Sequence, residues 1–459
     1  MNETLYAPAT DVAGMLVRKE ISSRELTGRL LDRIEEVNPA VNAVVELRRE
    51  AALREAAAAD EALAAGVRQP LLGVPMTIKE SLDVAGLHTT WGNPAFKDYV
   101  AGSDATVVRR LTRAGAVLVG KTNVHVMLGD FGQTANDLYG ATTNPWDVTR
   151  TPGGSSGGAA AAVAAGMTFL EYGSDLVGSV RIPASFCGVF GLRPSVGLVP
   201  LTGFQPPGPP AGPSETAYLS SLGPLARSAA DLRTALIVTA GPERPAANAY
   251  TWTLAPPRHR RPADFHVGVV LDHPYAPVSS EVTAVLSTAV DALARAGATV
   301  VEGWPEGVDP VRHYESFGYH VRLFFAAQEP DEPFPESSAY IEQENRRMSA
   351  RAAWNRYFDG VDVFLCPANF TPAFPHDLRP FGARTIATPE GDRPYRDQAF
   401  WVSHAALAGL PAAVAPIGRT AGGLPIGAQI IGPLFEDDTA VTFAGLLADL
   451  VGDIGRPPL

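Results

Sequence analysis

A chain of 459 residues, 46% of them hydrophobic and 19% charged, has enough apolar material for a large core and is not disordered throughout. A formal net charge of −12 argues against a general nucleic-acid binder and against attraction to an anionic membrane surface, and it leaves room for a neutral or cationic small molecule. The two cysteines, Cys187 and Cys366, lie far apart, which suits a reducing compartment and offers no metal-ligand spacing.

In chain order, residues 1–6 show no basic region leading into an apolar core, and no segment approaches an uninterrupted membrane span, so a soluble cytoplasmic protein is expected. Residues 11–66 carry apolar positions at helical spacing. Ser22-x-x-Glu25 reads as a capping box, and Asn38-Pro39 reads as a break between helices. At Leu71 the pattern changes to a continuous apolar run, as in a buried strand, ending in Lys79. The chain has four lysines against thirty-three arginines, so an ammonium there does not serve solubility. Two readings stand at this point: a lysine snorkelling or paired with Glu80 or Asp83, and a functional base. Residues 105–115 then read as an amphipathic helix and 116–120 as a strand, an alternation typical of an α/β sheet.

Residues 151–183 concentrate the chemistry. Gly153-Gly154-Ser155-Ser156-Gly157-Gly158 surrounds two hydroxyls with four glycines, the alanine-rich run 159–165 is a strong helix former, and 167–172 reads as a short buried strand. A second tight loop, 173–179, ends in Ser179. Two serine-bearing loops therefore flank one helix-strand unit, an arrangement suited to bringing Ser155 and Ser179 side by side. A flexible linker does not bracket an alanine helix and an apolar strand. A phosphate loop lacks its lysine. A nucleophile elbow must leave a strand, and residues 144–152 make a poor one. The nine histidines are scattered, with no His-Asp pair at catalytic spacing.

Further along, 202–213 is rich in Gly and Pro and reads as a surface loop. The cluster 258–261 reads as an exposed basic linker and the best internal boundary. Residues 265–270, 279–296 and 298–301 read as strand, helix and strand in a βαβ unit. Residues 314–357 read as largely helical, 361–366 as a strand, and 437–450 as the last helix.

The run GGSSGGAAAAVAAG, followed by GSDLVGSVRIPA, resembles the amidase signature of the Ser-cisSer-Lys hydrolases. The likeness extends to 73–86, 120–123, 142–146 and 186–194, and more loosely to 423–432. It implies an α/β fold in which a large mixed β-sheet core is covered by helices on both faces, as a single domain over 1–459. Within it, 1–66 is a helical entry segment, 71–200 the catalytic core, and about 262–459 the second part of the same unit.

The resemblance also implies Ser179 as nucleophile, Ser155 as a bridging hydroxyl in a cis peptide, and Lys79 as terminal base, which must be neutral and therefore buried. Backbone amides of Leu176, Val177, Gly178 and Ser179 are the implied oxyanion hole. Met127, Asp130, Phe131 and Gln133 are candidate substrate contacts, and Lys121 and Asn123 are expected to begin a loop near the site. Ser174, Asp175 and Arg181 are structural support. No metal or cofactor is implied.

One departure is Val177, where the family commonly has a glycine; a β-branched residue disfavours positive φ and is expected to tune specificity. The implied activity is hydrolysis of a small-molecule carboxamide through a Ser179 acyl-enzyme, with esters of similar shape also reacting, and homodimers are common in such families. The alternatives are a non-catalytic binding or scaffold protein and the A subunit of a tRNA-dependent amidotransferase; the second half has no convincing match to that subunit's tyrosine-rich segment.

Overall fold

The computed structural model describes residues 3–207, 219–326 and 335–459. In chain order the elements are α1 (Ala9–Val17), α2 (Ser23–Val41), β1 (Val44–Leu47), α3 (Arg49–Ala64), β2 (Pro75–Lys79), α4 (Thr106–Arg113), β3 (Val117–Thr122), β4 (Ala135–Asn136), β5 (Gly140–Ala141), α5 (Gly157–Ala164), β6 (Leu170–Asp175), α6 (Arg181–Cys187), β7 (Phe190–Arg193) and β8 (Ser221–Ala226). They continue as α7 (Ala229–Thr239), β9 (His266–Val269), α8 (Ser280–Arg295), β10 (Thr299–Glu302), α9 (Pro310–Ala326), α10 (Ser337–Tyr357), β11 (Val363–Pro367), β12 (Thr385–Thr388), β13 (Gly391–Pro394), α11 (Gln398–Ala408), β14 (Ala412–Arg419), β15 (Pro425–Ile431) and α12 (Asp437–Val451).

Eight strands form one mixed sheet in the order β10-β9-β11-β15-β14-β7-β8-β6. The first three run parallel and the remaining pairs antiparallel. The expected βαβ unit is present, with β9 and β10 parallel neighbours joined through α8. Helices α5 and α6, made almost wholly of small and apolar residues, are buried at every position. Close backbone approach fixes their composition: a Cβ on Gly158 would lie 2.5 Å from the backbone of Asn123, and one on Gly154 would lie 2.0 Å from the carbonyl oxygen of Gln133.

The entry segment differs from expectation in two places. Residues 44–47 form β1, which pairs antiparallel with β3, so the segment is not all helix. Helix α2 continues through Pro39 and stops at Asn42, whose φ of 53° ends it while the Asn38 side chain takes the amides of Ala43 and Val44. Ser22 does cap α2, accepting from the Glu25 amide at 3.0 Å.

Strands β2 and β3 also sit elsewhere than the alternating pattern suggests. With β1 they make a separate three-stranded sheet, in the order β1-β3-β2, packed beside β6 at the edge of the main one. The basic cluster is not a free linker either: Arg258 pairs with Glu436 at 2.6 Å and donates to the carbonyls of Phe358 and Val361. The glycine- and proline-rich loop lies partly outside the described residues. Among those described, no helix is long and apolar enough to cross a membrane, and no cluster of metal-ligating side chains occurs.

Candidate active site

Lys79 ends β2 with no solvent exposure. Its Nζ lies 2.8 Å from Ser155 Oγ, 2.9 Å from Ser156 Oγ and 2.8 Å from Ser174 Oγ. The ion-paired reading of this lysine is not what the chain adopts. Glu80 faces away and accepts from Thr90 Oγ1 and the Trp91 amide. Burial lowers the Lys79 ammonium from 10.5 to about 7, against the opposing pull of Asp175, Glu171 and Glu80. A neutral amine has two N–H donors and one lone pair, whereas an ammonium has three donors. Three hydroxyls that can each donate or accept satisfy both forms, so a proton can arrive at Nζ without rearrangement of its neighbours.

Ser155 and Ser156 stand at the entrance to α5, and the Gly154–Ser155 peptide is cis. The Ser155 carbonyl accepts from the His125 amide, and the Ser156 amide donates to the Ser179 carbonyl at 3.2 Å, which ties the two serine loops together. Ser179, 6% exposed, lies with Ser155 and Ser174 on the wall of one cavity of about 270 Å³. Ser174 is thus more than support, since it touches Nζ as well as the cavity.

The loop 176–179 is held from behind by Asp175. Its carboxylate takes the amides of Gly178 and Val180 and both Nε and Nη2 of Arg181, with Arg193 as a second cation. Burial alone would raise the Asp175 carboxyl; the two guanidiniums and the backbone amides instead hold it well below the ordinary carboxylate range. Arg181 is anchored in turn by the Val402 carbonyl at 2.8 Å and by Gln429 Oε1. The positive φ in this loop falls on Gly178, at 82°, and not on Val177, so the valine is accommodated without backbone strain and its side chain lines the cavity.

Phe131, Phe204, Phe317, Val321, Phe324 and Phe381 give the cavity its apolar character. Of the four expected substrate contacts, Asp130 and Phe131 line it, whereas Met127 and Gln133 do not. Met127 occupies a tight turn at φ 49°, its amide bonded to the Trp91 carbonyl. Gln133 spends both ends of its side chain on the Asp377 backbone, at 2.9 and 3.0 Å. Asp130 is neutralised where it stands, by an ion pair with Arg384 and by the Tyr395 hydroxyl at 2.7 Å.

Lys121 and Asn123 belong to the scaffold. The first donates to the His88 carbonyl and to Thr89 Oγ1, and the second joins Thr142, Gly140 and Asn136. Sequence reasoning did not find the roles of Ser156, Arg193 and Gln429. Arg193 lies within the segment 186–194 that shares in the resemblance, but nothing in its spacing points to Asp175.

Fold and site together define a mixed α/β protein with a buried lysine-serine cluster, Lys79 being touched by Ser155 and Ser156 at the start of α5 and by Ser174 on β6, beside an apolar cavity. The amidase family model matches residues 25–329 and 315–441, and the chain belongs to that family, with the amidase signature fold and amide cleavage as its class of chemistry. It is 33% identical to the A subunit of the glutamyl-tRNA(Gln) amidotransferase of Moorella thermoacetica, with 96% of each chain covered. Identity is also 33% to the indoleacetamide hydrolase of Bradyrhizobium diazoefficiens, over 97% of this chain and 86% of that one. The solved structure of 6-aminohexanoate cyclic dimer hydrolase with its substrate superposes with a TM-score of 0.80 at 27% identity, over 99% of both chains.

Proposed function

We propose that the protein is an amidohydrolase that cleaves a neutral small-molecule carboxamide through an acyl-enzyme on Ser179. The observation that carries this reading is the contact of the buried Lys79 Nζ with Ser155 Oγ, on the same cavity wall that presents Ser179. A serine hydroxyl is a poor nucleophile at neutral pH unless a base takes its proton as it attacks. In the proposed sequence Ser179 Oγ bonds to the substrate carbonyl carbon while its proton passes to Ser155 Oγ and the Ser155 proton passes to Lys79 Nζ. Collapse of the tetrahedral adduct breaks the C–N bond, and the proton returns along the same path to the leaving nitrogen. Water then cleaves the acyl-enzyme, giving a carboxylic acid and regenerating Ser179.

The developing oxyanion requires backbone donors, each worth about 3–4 kcal/mol in such sites. The amides of Leu176, Val177 and Ser179 remain candidates, whereas that of Gly178 is engaged by Asp175 Oδ1 at 3.0 Å. An apolar cavity whose one acid is already paired favours an aryl or alkyl acyl group over the γ-glutamyl group of glutamine, whose α-ammonium would find no free acid on the cavity wall. The amidotransferase reading draws on the likeness to those A subunits, and the same cavity chemistry argues against it.

Hydrolysis of a panel of primary amides, anilides and nitrophenyl esters tests the reading, with glutamine as the contrasting substrate. Turnover of apolar amides but not glutamine, abolished by Ser179→Ala, is the expected result. Glutaminase activity that emerges only with a co-purifying partner chain would favour the amidotransferase, and a well-folded protein that no small fluorophosphonate or sulfonyl fluoride modifies would favour a non-catalytic role.

A further inference from the structure

Glu171 is an ionisable group beside the base that the proposed relay leaves unused. It lies on β6 with no solvent exposure. Its Oε1 accepts from Thr122 Oγ1 at 2.8 Å and its Oε2 from Thr77 Oγ1. Both hydroxyls belong to the strand pair that carries Lys79. Thr77 lies two residues before it, on the same strand face, and Thr122 stands directly opposite it in the β2–β3 register.

The other charged groups around this place are committed elsewhere. Asp175 is tied to Arg181 and Arg193, Glu80 to the residue 90–91 turn, and Lys121 to His88 and Thr89. On α2 the buried Arg33 is directed to Ala165, Tyr6 and Glu36. Helix α5 and strand β8, which pack against the same region, carry no titratable side chain. The charge acting on Glu171 is that of Lys79.

We infer that Glu171 is a positioning residue that shares one proton with Lys79 and so sets the pH at which the relay can accept the Ser179 proton. The inference rests on reading Lys79 as the terminal base. With one proton between them the pair has two forms, an ammonium beside a carboxylate and an amine beside a carboxylic acid, and only the second can take a proton from serine. Burial disfavours both charges, pushing the Glu171 carboxyl up to about 8 and the lysine down to about 7, while the two threonine donors and the Lys79 charge favour the carboxylate, so the two forms are close in energy and the Glu171 charge holds part of the proton on the amine. Either form leaves the threonines satisfied, because a hydroxyl can donate to a carboxylate or accept from a carboxylic acid.

Glu171→Gln keeps the shape and removes the charge. The rate at which a small fluorophosphonate modifies Ser179, followed by intact mass from pH 5 to 9.5, reads the charge on the base without needing the natural substrate. The midpoint of the rise is expected to move down by about one pH unit, making the acid limb about tenfold faster, while the plateau at high pH stays near that of the wild type. Thr122→Val removes one donor that favours the carboxylate, should move the midpoint the same way by less, and carries the test if the glutamine variant does not fold. Profiles superimposable on that of the wild type would overturn the inference. Lys79→Met separates the two ideas. If it is still modified at the wild-type rate, the base assignment itself fails; if it is silent while the Glu171→Gln midpoint is unmoved, only the role of Glu171 falls.

Discussion

Lys79 Nζ and Ser155 Oγ lie 2.8 Å apart although 76 residues separate them, one ending a strand of the small sheet and the other opening the helix that feeds the edge of the large one. Removing the amine should therefore disable the nucleophile while leaving both sheets in place. Lys79→Met is expected to slow Ser179 modification by a factor of about 10² to 10⁴, the range of a general base. The check is intact-mass kinetics with a fluorophosphonate alongside a circular dichroism spectrum that matches the wild type.

The same variant should raise stability, with a definite pH dependence. A lysine lowered from 10.5 to about 7 makes the unfolded chain bind more protons than the native one between those values, so this residue's penalty is full below pH 7 and fades as pH rises toward 10.5. Urea denaturation at pH 6 and at pH 9.5 should show a larger advantage of Lys79→Met over the wild type at the lower pH. An equal or reversed advantage would mean that Lys79 is not held neutral by burial.

Asp175→Asn should destabilise by about 3–5 kcal/mol, because it leaves Arg181 and Arg193 buried without their anion. The sign of its pH dependence follows from a native carboxyl held below the ordinary range. The stabilisation is present above the unfolded value near 3.8 and is lost only as pH falls through the lower native value. The wild-type advantage in denaturant should therefore persist at pH 4.5 and shrink only in stronger acid.

Gly178→Ala puts a side chain where φ is 82° and where a Cβ would meet Val402 at 2.9 Å. A cost of about 1–3 kcal/mol is expected, together with slower Ser179 modification as the amides of the loop turn away. Val177→Gly offers the contrasting result: little strain is released, since that residue does not need positive φ, but larger aryl esters should react faster. Thermal melts and an ester series of increasing acyl width measure both.

Much of this was legible in the chain because it is local. The alanine helix, the two serine loops and the apolar strand ending in Lys79 each carry their signal within a dozen residues, and the βαβ unit is three such local signals in succession. What escaped depends on partners far away in sequence. Strand β1 is short, and it is a strand because β3 lies beside it. The break expected at Asn38-Pro39 comes instead at Asn42, whose amide still closes the last turn onto the Asn38 carbonyl while its positive φ ends the helix. The positive φ at Gly178 is a local exception, accompanied by the bond of its amide to Asp175 only three residues earlier. The partners of Arg181 and Glu171 lie up to 248 residues away and leave no pattern that a window could detect.

The double hydrogen bond between the Gln133 side chain and the Asp377 backbone rivets two stretches that jointly wall the cavity. Substrate preference in such an enzyme is then inherited as a matched pair of loops. Grafting residues 130–133 from a relative without its counterpart around 377–395 would import half a lock, leaving Arg384 and Tyr395 without the Asp130 carboxylate that they hold. Directed evolution toward a new acyl group should randomise the two stretches together.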